Sequence, residues 1–140
     1  MNIKKIVWLK LRLVMGFVFL WPFLDKTFGL GFGTSPERAW INGGSPTQGF
    51  LTNATQGPFA QYFQNLAGFP FVDWLFMLGL LFVGLTLILN RYVTWGATAG
   101  SIMMILIWLS TFPPETNPLI DEHIVYVLVL TILCIKSREG

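Results

Sequence analysis

VDWLFMLGLLFVGLTLIL, residues 72–89, carries a single charge, Asp73, at its start. At ~1.5 Å rise per residue such a helix covers about 27 Å, close to the ~30 Å hydrocarbon core of a bilayer. Three further stretches share this character. Residues 93–112, VTWGATAGSIMMILIWLSTF, are uncharged throughout. Residues 9–27 are apolar apart from Lys10 and Arg12 near their start and Asp25-Lys26 near their end. Residues 120–135 open on Asp121-Glu122-His123 and then run apolar from Ile124. These four stretches predict an all-α membrane protein, a bundle of four transmembrane helices in one domain.

Composition agrees. Of 140 residues, 54% are hydrophobic, 16% aromatic and only 11% charged, with a mean hydropathy of +0.62. A soluble domain carries roughly a quarter of its residues charged, so this surface faces something other than water. No Lys/Arg run is interleaved with exposed aromatics, which argues against nucleic-acid binding. The single cysteine, Cys134, excludes an intrachain disulfide, a CxxC pair and a Cys-rich metal site. The single histidine, His123, excludes a haem held by two histidines of the chain. A cleaved leader is not expected, because Lys10 and Arg12 split the apolar run and no small-x-small site follows Leu24.

Charge sets the expected orientation. With the N-terminus inside, Lys4, Lys5, Lys10, Arg12, Arg91, Lys136 and Arg138 are cytoplasmic, and only Lys26 and Arg38 lie outside. Six carboxylates (Asp25, Glu37, Asp73, Glu115, Asp121, Glu122) join the two outer cations for a net −4, while Glu139 alone offsets the seven inner cations for a net +6. Both termini are therefore expected in the cytoplasm. Trp8 and Trp95 then fall at the inner boundary and Trp21, Trp74 and Trp108 near the outer one, as interfacial belts. Gly96, Ala97, Ala99, Gly100 and Ser101 offer a close-packing face for a neighbouring helix.

Residues 28–71 form a long outer loop with two charges in 44 residues, too apolar for a floppy linker. Thr34-Ser35-Pro36-Glu37 supplies a cap, an early proline and a capping box for a short helix through Trp40-Ile41, stopped at Asn42-Gly43-Gly44. A second helix from Pro58 presents Phe59, Tyr62, Phe63 and Leu66 at helical spacing until Gly68. The loop reads as a folded lid over the outer mouth of the bundle.

Ionisable groups at membrane depth are the candidates for function. Asp25-Lys26, Asp73 and Asp121-Glu122-His123 all meet the outer leaflet in this topology. Asp73, Asp121 and Glu122 sit in first turns, where carboxylates offset the helix dipole. Asp25 sits at a C-terminal end and so needs a specific partner, Lys26 or a donor on a neighbouring helix. His123 and Tyr126 share a face of the last helix. Lys10 and Arg12 read as anchors snorkelling to lipid phosphates.

Several stretches resemble the DoxX/DoxD family of small four-span membrane proteins. They are Arg12-Leu13-Val14-Met15-Gly16, Trp21-Pro22-Phe23-Leu24-Asp25-Lys26, Ala39-Trp40-Ile41-Asn42-Gly43-Gly44-Ser45-Pro46-Thr47, Asp73-Trp74-Leu75-Phe76-Met77-Leu78-Gly79, and Asn117-Pro118 through Asp121-Glu122-His123. The likeness runs over about residues 8–135. It implies a four-helix bundle in a prokaryotic plasma membrane and, for the DoxD branch, a thiosulfate:quinone oxidoreductase acting with a second subunit, DoxA. Thiosulfate is a dianion, however, and an outer face of net −4 opposes its approach. The chain also holds no outer thiol, metal-ligand cluster or nucleotide motif, so electrons must pass through a bound quinone or a partner's groups.

Two expectations follow. In the first, the chain is a quinone-reactive subunit of a respiratory oxidoreductase. Asp25, Lys26, Asp121 and His123 then handle headgroup hydrogen bonds and protons, with Trp21 or Trp40 flanking the ring and Asp73 and Tyr126 beside it. In the second, the chain is a non-catalytic scaffold of a larger complex, partnered by DoxA-like or respiratory oxidase subunits. Neither expectation includes a metal, haem or nucleotide in this chain.

Overall fold

The computed structural model describes residues 1–140 and is all-helical, without strands. Helix α1 spans Ile3–Phe28, α2 Gln48–Asn53, α3 Ala60–Gln64, α4 Pro70–Leu89, α5 Val93–Ser110 and α6 Glu122–Glu139. Three of them, α1, α4 and α5, are long and apolar enough to cross a membrane, with 26, 20 and 18 residues. Helix α6 also has 18 residues, but Glu122, Lys136, Arg138 and Glu139 load its two ends with charge.

Each boundary has a local cause. The Asn2 side chain accepts from the Lys4 N–H at 3.0 Å and caps the start of α1. The helix therefore begins six residues before the expected Leu9, taking in Lys4 and Lys5. Its end is Gly29, at φ 66°, whose N–H returns to the Asp25 carbonyl at 2.8 Å. Pro70 opens α4, where a missing N–H removes no helix bond. Asn90, at φ 55°, closes it in the left-handed region. Expected residues 111–112 drop out of α5, and α6 starts at Glu122 rather than residue 120 because Asp121 takes the N-cap position.

Close contacts fix the topology. A Cβ on Gly16 would meet Ile88 at 2.6 Å, and one on Gly84 would meet the Leu20 backbone at 3.0 Å, so α1 and α4 run antiparallel with almost no gap. Gly96 lies against the Thr86 hydroxyl, bringing the start of α5 back along the end of α4. Thr94 donates to Ser137 at 2.9 Å, while Ser137 donates to the Cys134 carbonyl, placing α6 antiparallel to α5. Gly100 sits where Phe19, Val83 and Leu130 converge from α1, α4 and α6. The small-residue face expected in α5 is thus the packing face, with Gly96, Ala97 and Gly100 buried.

The core is one cluster drawn from all four long helices, including Met15, Phe19, Met77, Val83, Leu87, Met104 and Leu130. Outward faces are equally apolar: Phe17, Leu75, Phe82, Ile102 and Leu128 are all more than two-fifths exposed. A surface of this kind suits lipid. Arg12 does not simply reach for lipid phosphate, as expected. Its Nη1 donates to the carbonyls of Leu87 and Ile88, the latter at 3.0 Å, and so caps the C-terminal end of α4.

The loop differs most from expectation. One helix over 35–41 is replaced by two single 3₁₀ turns, Pro36–Arg38 and Trp40–Asn42, broken by extended Ala39. Ser35 makes no capping bond there, so the capping box does not form. Gly44 presses on the Arg38 carbonyl, an approach that only a residue without Cβ allows. The helix expected from Pro58 to Gly68 contracts to α3, and α2 was not expected at all.

Candidate functional site

The end of the bundle away from the termini gathers the C-terminal turn of α1, the N-terminal turns of α4 and α6, and the loop. The loop is tied down by carboxylates. Asp25 accepts from the N–H groups of Phe32 at 3.1 Å and Gly33 at 2.7 Å. Its partner is therefore the backbone of the following loop, in place of Lys26 or a neighbouring helix. Those two N–H groups offset the unfavourable dipole at the end of α1.

Asp73 faces the loop as well. It accepts from Ser45 Oγ at 2.7 Å, from Thr47 Oγ1 at 2.6 Å and from the Thr47 N–H at 3.2 Å. Asp25 and Asp73 are both buried, at 4% and 7% exposure, so each carboxylate is engaged rather than open. Further along, Gln56 bonds the end of α5 through Ser110, Thr111 and Pro113. The loop is thus a folded cover tied to the ends of α1, α4 and α5.

Aromatic residues line this cover. Trp40 meets Trp74 edge-on at 4.7 Å between ring centroids. Trp21 stacks on Phe17 at 5.6 Å and meets Phe32 edge-on at 5.0 Å. The indole N–H of Trp108 donates to the Leu119 carbonyl at 2.9 Å, fixing the segment before α6.

Asp121, His123 and Tyr126 are the expected site residues that the structure brings together. Asp121 Oδ1 accepts from the His123 N–H at 2.9 Å, capping α6, while Oδ2 lies 2.9 Å from His123 Nδ1. An ionised carboxylate can only accept, so Nδ1 is the donor in this pair, and in the neutral imidazole Nε2 then carries the lone pair. The Tyr126 ring stands edge-on to the imidazole, 6.4 Å between centroids. Both members of the pair remain partly exposed, at 21% and 14% of their side chains. No hydrogen bond or ion pair joins this group to Asp25, Lys26, Asp73 or the tryptophans.

Lys26 and Arg38, the two cations expected outside, both line one cleft of about 640 Å³. Ser45, Gln48 and Asn53 complete its polar walls. Glu37 shares it; a hydrogen bond from Ser35 holds that carboxyl below the usual carboxylate range. Two cations against one carboxylate leave this cleft positive, on a face whose net charge is negative. Arg38 was not among the expected site residues. Its scarcity was the available signal, since only two cations fall in residues 26–71.

Comparisons of the chain with protein-family models, curated proteins and solved structures give no match.

Proposed function

We propose that the chain is a four-span DoxX/DoxD-like subunit of a quinone-linked respiratory oxidoreductase in a prokaryotic plasma membrane. In this reading α6 is the fourth span and both termini face the cytoplasm. The observation that carries it is the Asp121–His123 couple beside Tyr126, held at the boundary of the apolar bundle.

A quinone, when bound, supplies two-electron chemistry coupled to proton exchange, and the residues here fit its headgroup. Asp121 fixes the imidazole twice over, through the backbone and through the ring, so His123 is pre-oriented. With a quinone bound, His123 in its imidazolium form, stabilised by Asp121, would supply a proton from Nε2 to a headgroup oxygen as the ring is reduced. Tyr126 supplies a hydroxyl and an aromatic edge on the same helix face. Asp25 and Asp73 order the loop at the same end of the bundle, and Trp21 and Trp40 would offer aromatic faces to the ring. The positive cleft of Lys26 and Arg38 supports docking of an anionic electron donor such as thiosulfate, locally countering the face's net negative charge.

The test is titration of the purified protein with a short-chain quinone analogue, read by tryptophan fluorescence. His123→Ala should weaken binding about tenfold or more, the scale of one hydrogen bond to a charged group, and Asp121→Asn should weaken it less. If no analogue binds, or if His123→Ala binds as the wild type does, the quinone reading is abandoned for that of a non-catalytic subunit.

A further inference from the structure

The opposite end of the bundle, which carries both termini, holds a cavity of about 680 Å³ that the proposed reaction does not use. Its walls come from the start of α1, the turn between α4 and α5, and the last turn of α6. We infer that this cavity binds the phosphate of an anionic phospholipid headgroup, held between Arg12 of α1 and Lys136 of α6.

The charges support an anion. Arg12 spends Nη1 on the carbonyls of Leu87 and Ile88, which leaves Nε and Nη2 without an acceptor in the chain. Lys136 of α6 lines the same cavity and is only loosely paired with Glu139, at 3.9 Å. No Asp or Glu side chain lines the cavity, and the backbone of Gly140 lines it as a group that a bound phosphate would have to displace or avoid. A guanidinium and an ammonium lining one cavity suit a phosphate, one as a planar donor and the other as a point charge.

The turn adds donors and fixes the depth. Asn90 and Tyr92, both in the left-handed region at φ 55° and 56°, wrap the chain so that α5 starts beside the cavity. Val93, Thr94 and Trp95 open that helix with no side-chain cap, so their N–H groups are free to face an anion. The hydroxyls of Thr94 and Ser137 are spent on each other and on the Cys134 carbonyl, so they serve as wall rather than as donors. Trp8, Tyr92 and Trp95 rim the cavity, and rings of this type settle at headgroup level. With the proposed orientation, this aromatic rim would put the cavity at headgroup level, next to the exposed apolar residues Val7, Leu13 and Val14 of α1.

Native mass spectrometry of the whole protein released from detergent separates the possible anions. Phosphatidylglycerol should remain bound through gas-phase activation, whereas phosphatidylcholine should be retained more weakly. Lys136→Gln should lower phosphatidylglycerol retention about tenfold, the effect of one charge-assisted contact. Lys136 is half exposed and pairs only with Glu139 of its own helix, so this variant should fold. Arg12→Gln also removes the cap of α4, and Arg12→Lys, which keeps a charge there, should bind better than Arg12→Gln. Millimolar inorganic phosphate should not displace the lipid. Displacement by inorganic phosphate would reassign the cavity to a free anion, and equal retention of both lipids with no effect of Lys136→Gln would overturn the assignment.

Discussion

Asp73 sits in the first turn of α4, where free N–H groups favour a carboxylate, yet its oxygens turn to Ser45 and Thr47 across 28 and 26 residues of chain. Thr47 is 6% exposed, so its N–H and hydroxyl have no water to fall back on. Asp73→Ala should therefore destabilise the fold by about 2–3 kcal/mol, the penalty for stranding buried donors. It should also open residues 45–56 to protease. Asp73→Asn keeps one acceptor oxygen, and the hydroxyls can rotate to meet it, so its loss should be smaller. Thermal melts in detergent with limited proteolysis check both. An Asp73→Ala protein that melts and cleaves like the wild type would show that this carboxylate does not hold the cover.

Helix contacts in this protein depend on missing side chains, and the glycines of α4 differ sharply in what they face. A Cβ on Gly84 would strike the Leu20 backbone at 3.0 Å, which cannot yield unless α1 and α4 part. A Cβ on Gly79 would meet the Met103 side chain, its sulfur at 2.8 Å and its methyl at 3.3 Å, and a thioether can swing aside. Gly84→Ala should cost about 1–3 kcal/mol by overpacking, while Gly79→Ala should be near neutral. Unfolding in graded detergent mixtures reads the difference; equal losses would mean the α1–α4 approach is looser than described. The contrast also shows what a sequence can reveal. Apolar runs and charge-free lengths announced the long helices, and the cluster Gly96–Ser101 announced a packing face. Gly16 and Gly84, lone glycines in apolar runs, carry no pattern that pairs them. The loop was harder still, because its form is set by bonds to remote residues, such as Gln56 to Thr111, 55 positions away. Of the candidate site, the His123–Tyr126 face was legible from spacing on one helix. The donors to Asp25 were not, since backbone N–H groups look alike in any sequence.

At the scale of the whole molecule, antiparallel packing puts the start of α1 and the end of α6 at the same end of the bundle. Lys4, Lys5, Lys10, Arg91, Lys136 and Arg138 stand exposed there, and the preference of short inner segments for cations supports the cytoplasmic position proposed for that end. Helix α6 has an uncharged stretch from Ile124 to Ile135 of only 12 residues, or about 18 Å at ~1.5 Å per residue. It crosses only if Asp121, Glu122 and Lys136 reach the two interfaces, Lys136 by snorkelling along its stem. Its tight pairing with α5 through Gly100, Leu130, Thr94 and Ser137 argues that the two lie at the same depth. Labelling decides it. In a Cys134→Ser background, single substitutions Ile3→Cys, Gln64→Cys, Glu115→Cys and Glu139→Cys all sit at exposed positions. In intact cells a membrane-impermeant maleimide should label the Gln64→Cys and Glu115→Cys variants and leave the other two untouched until the membrane is opened. If α6 stayed on the outer side, three crossings would remain, and Glu139→Cys would be labelled from outside while Ile3→Cys was not. If the orientation were reversed, Ile3→Cys and Glu139→Cys would label together and the loop variants would be protected.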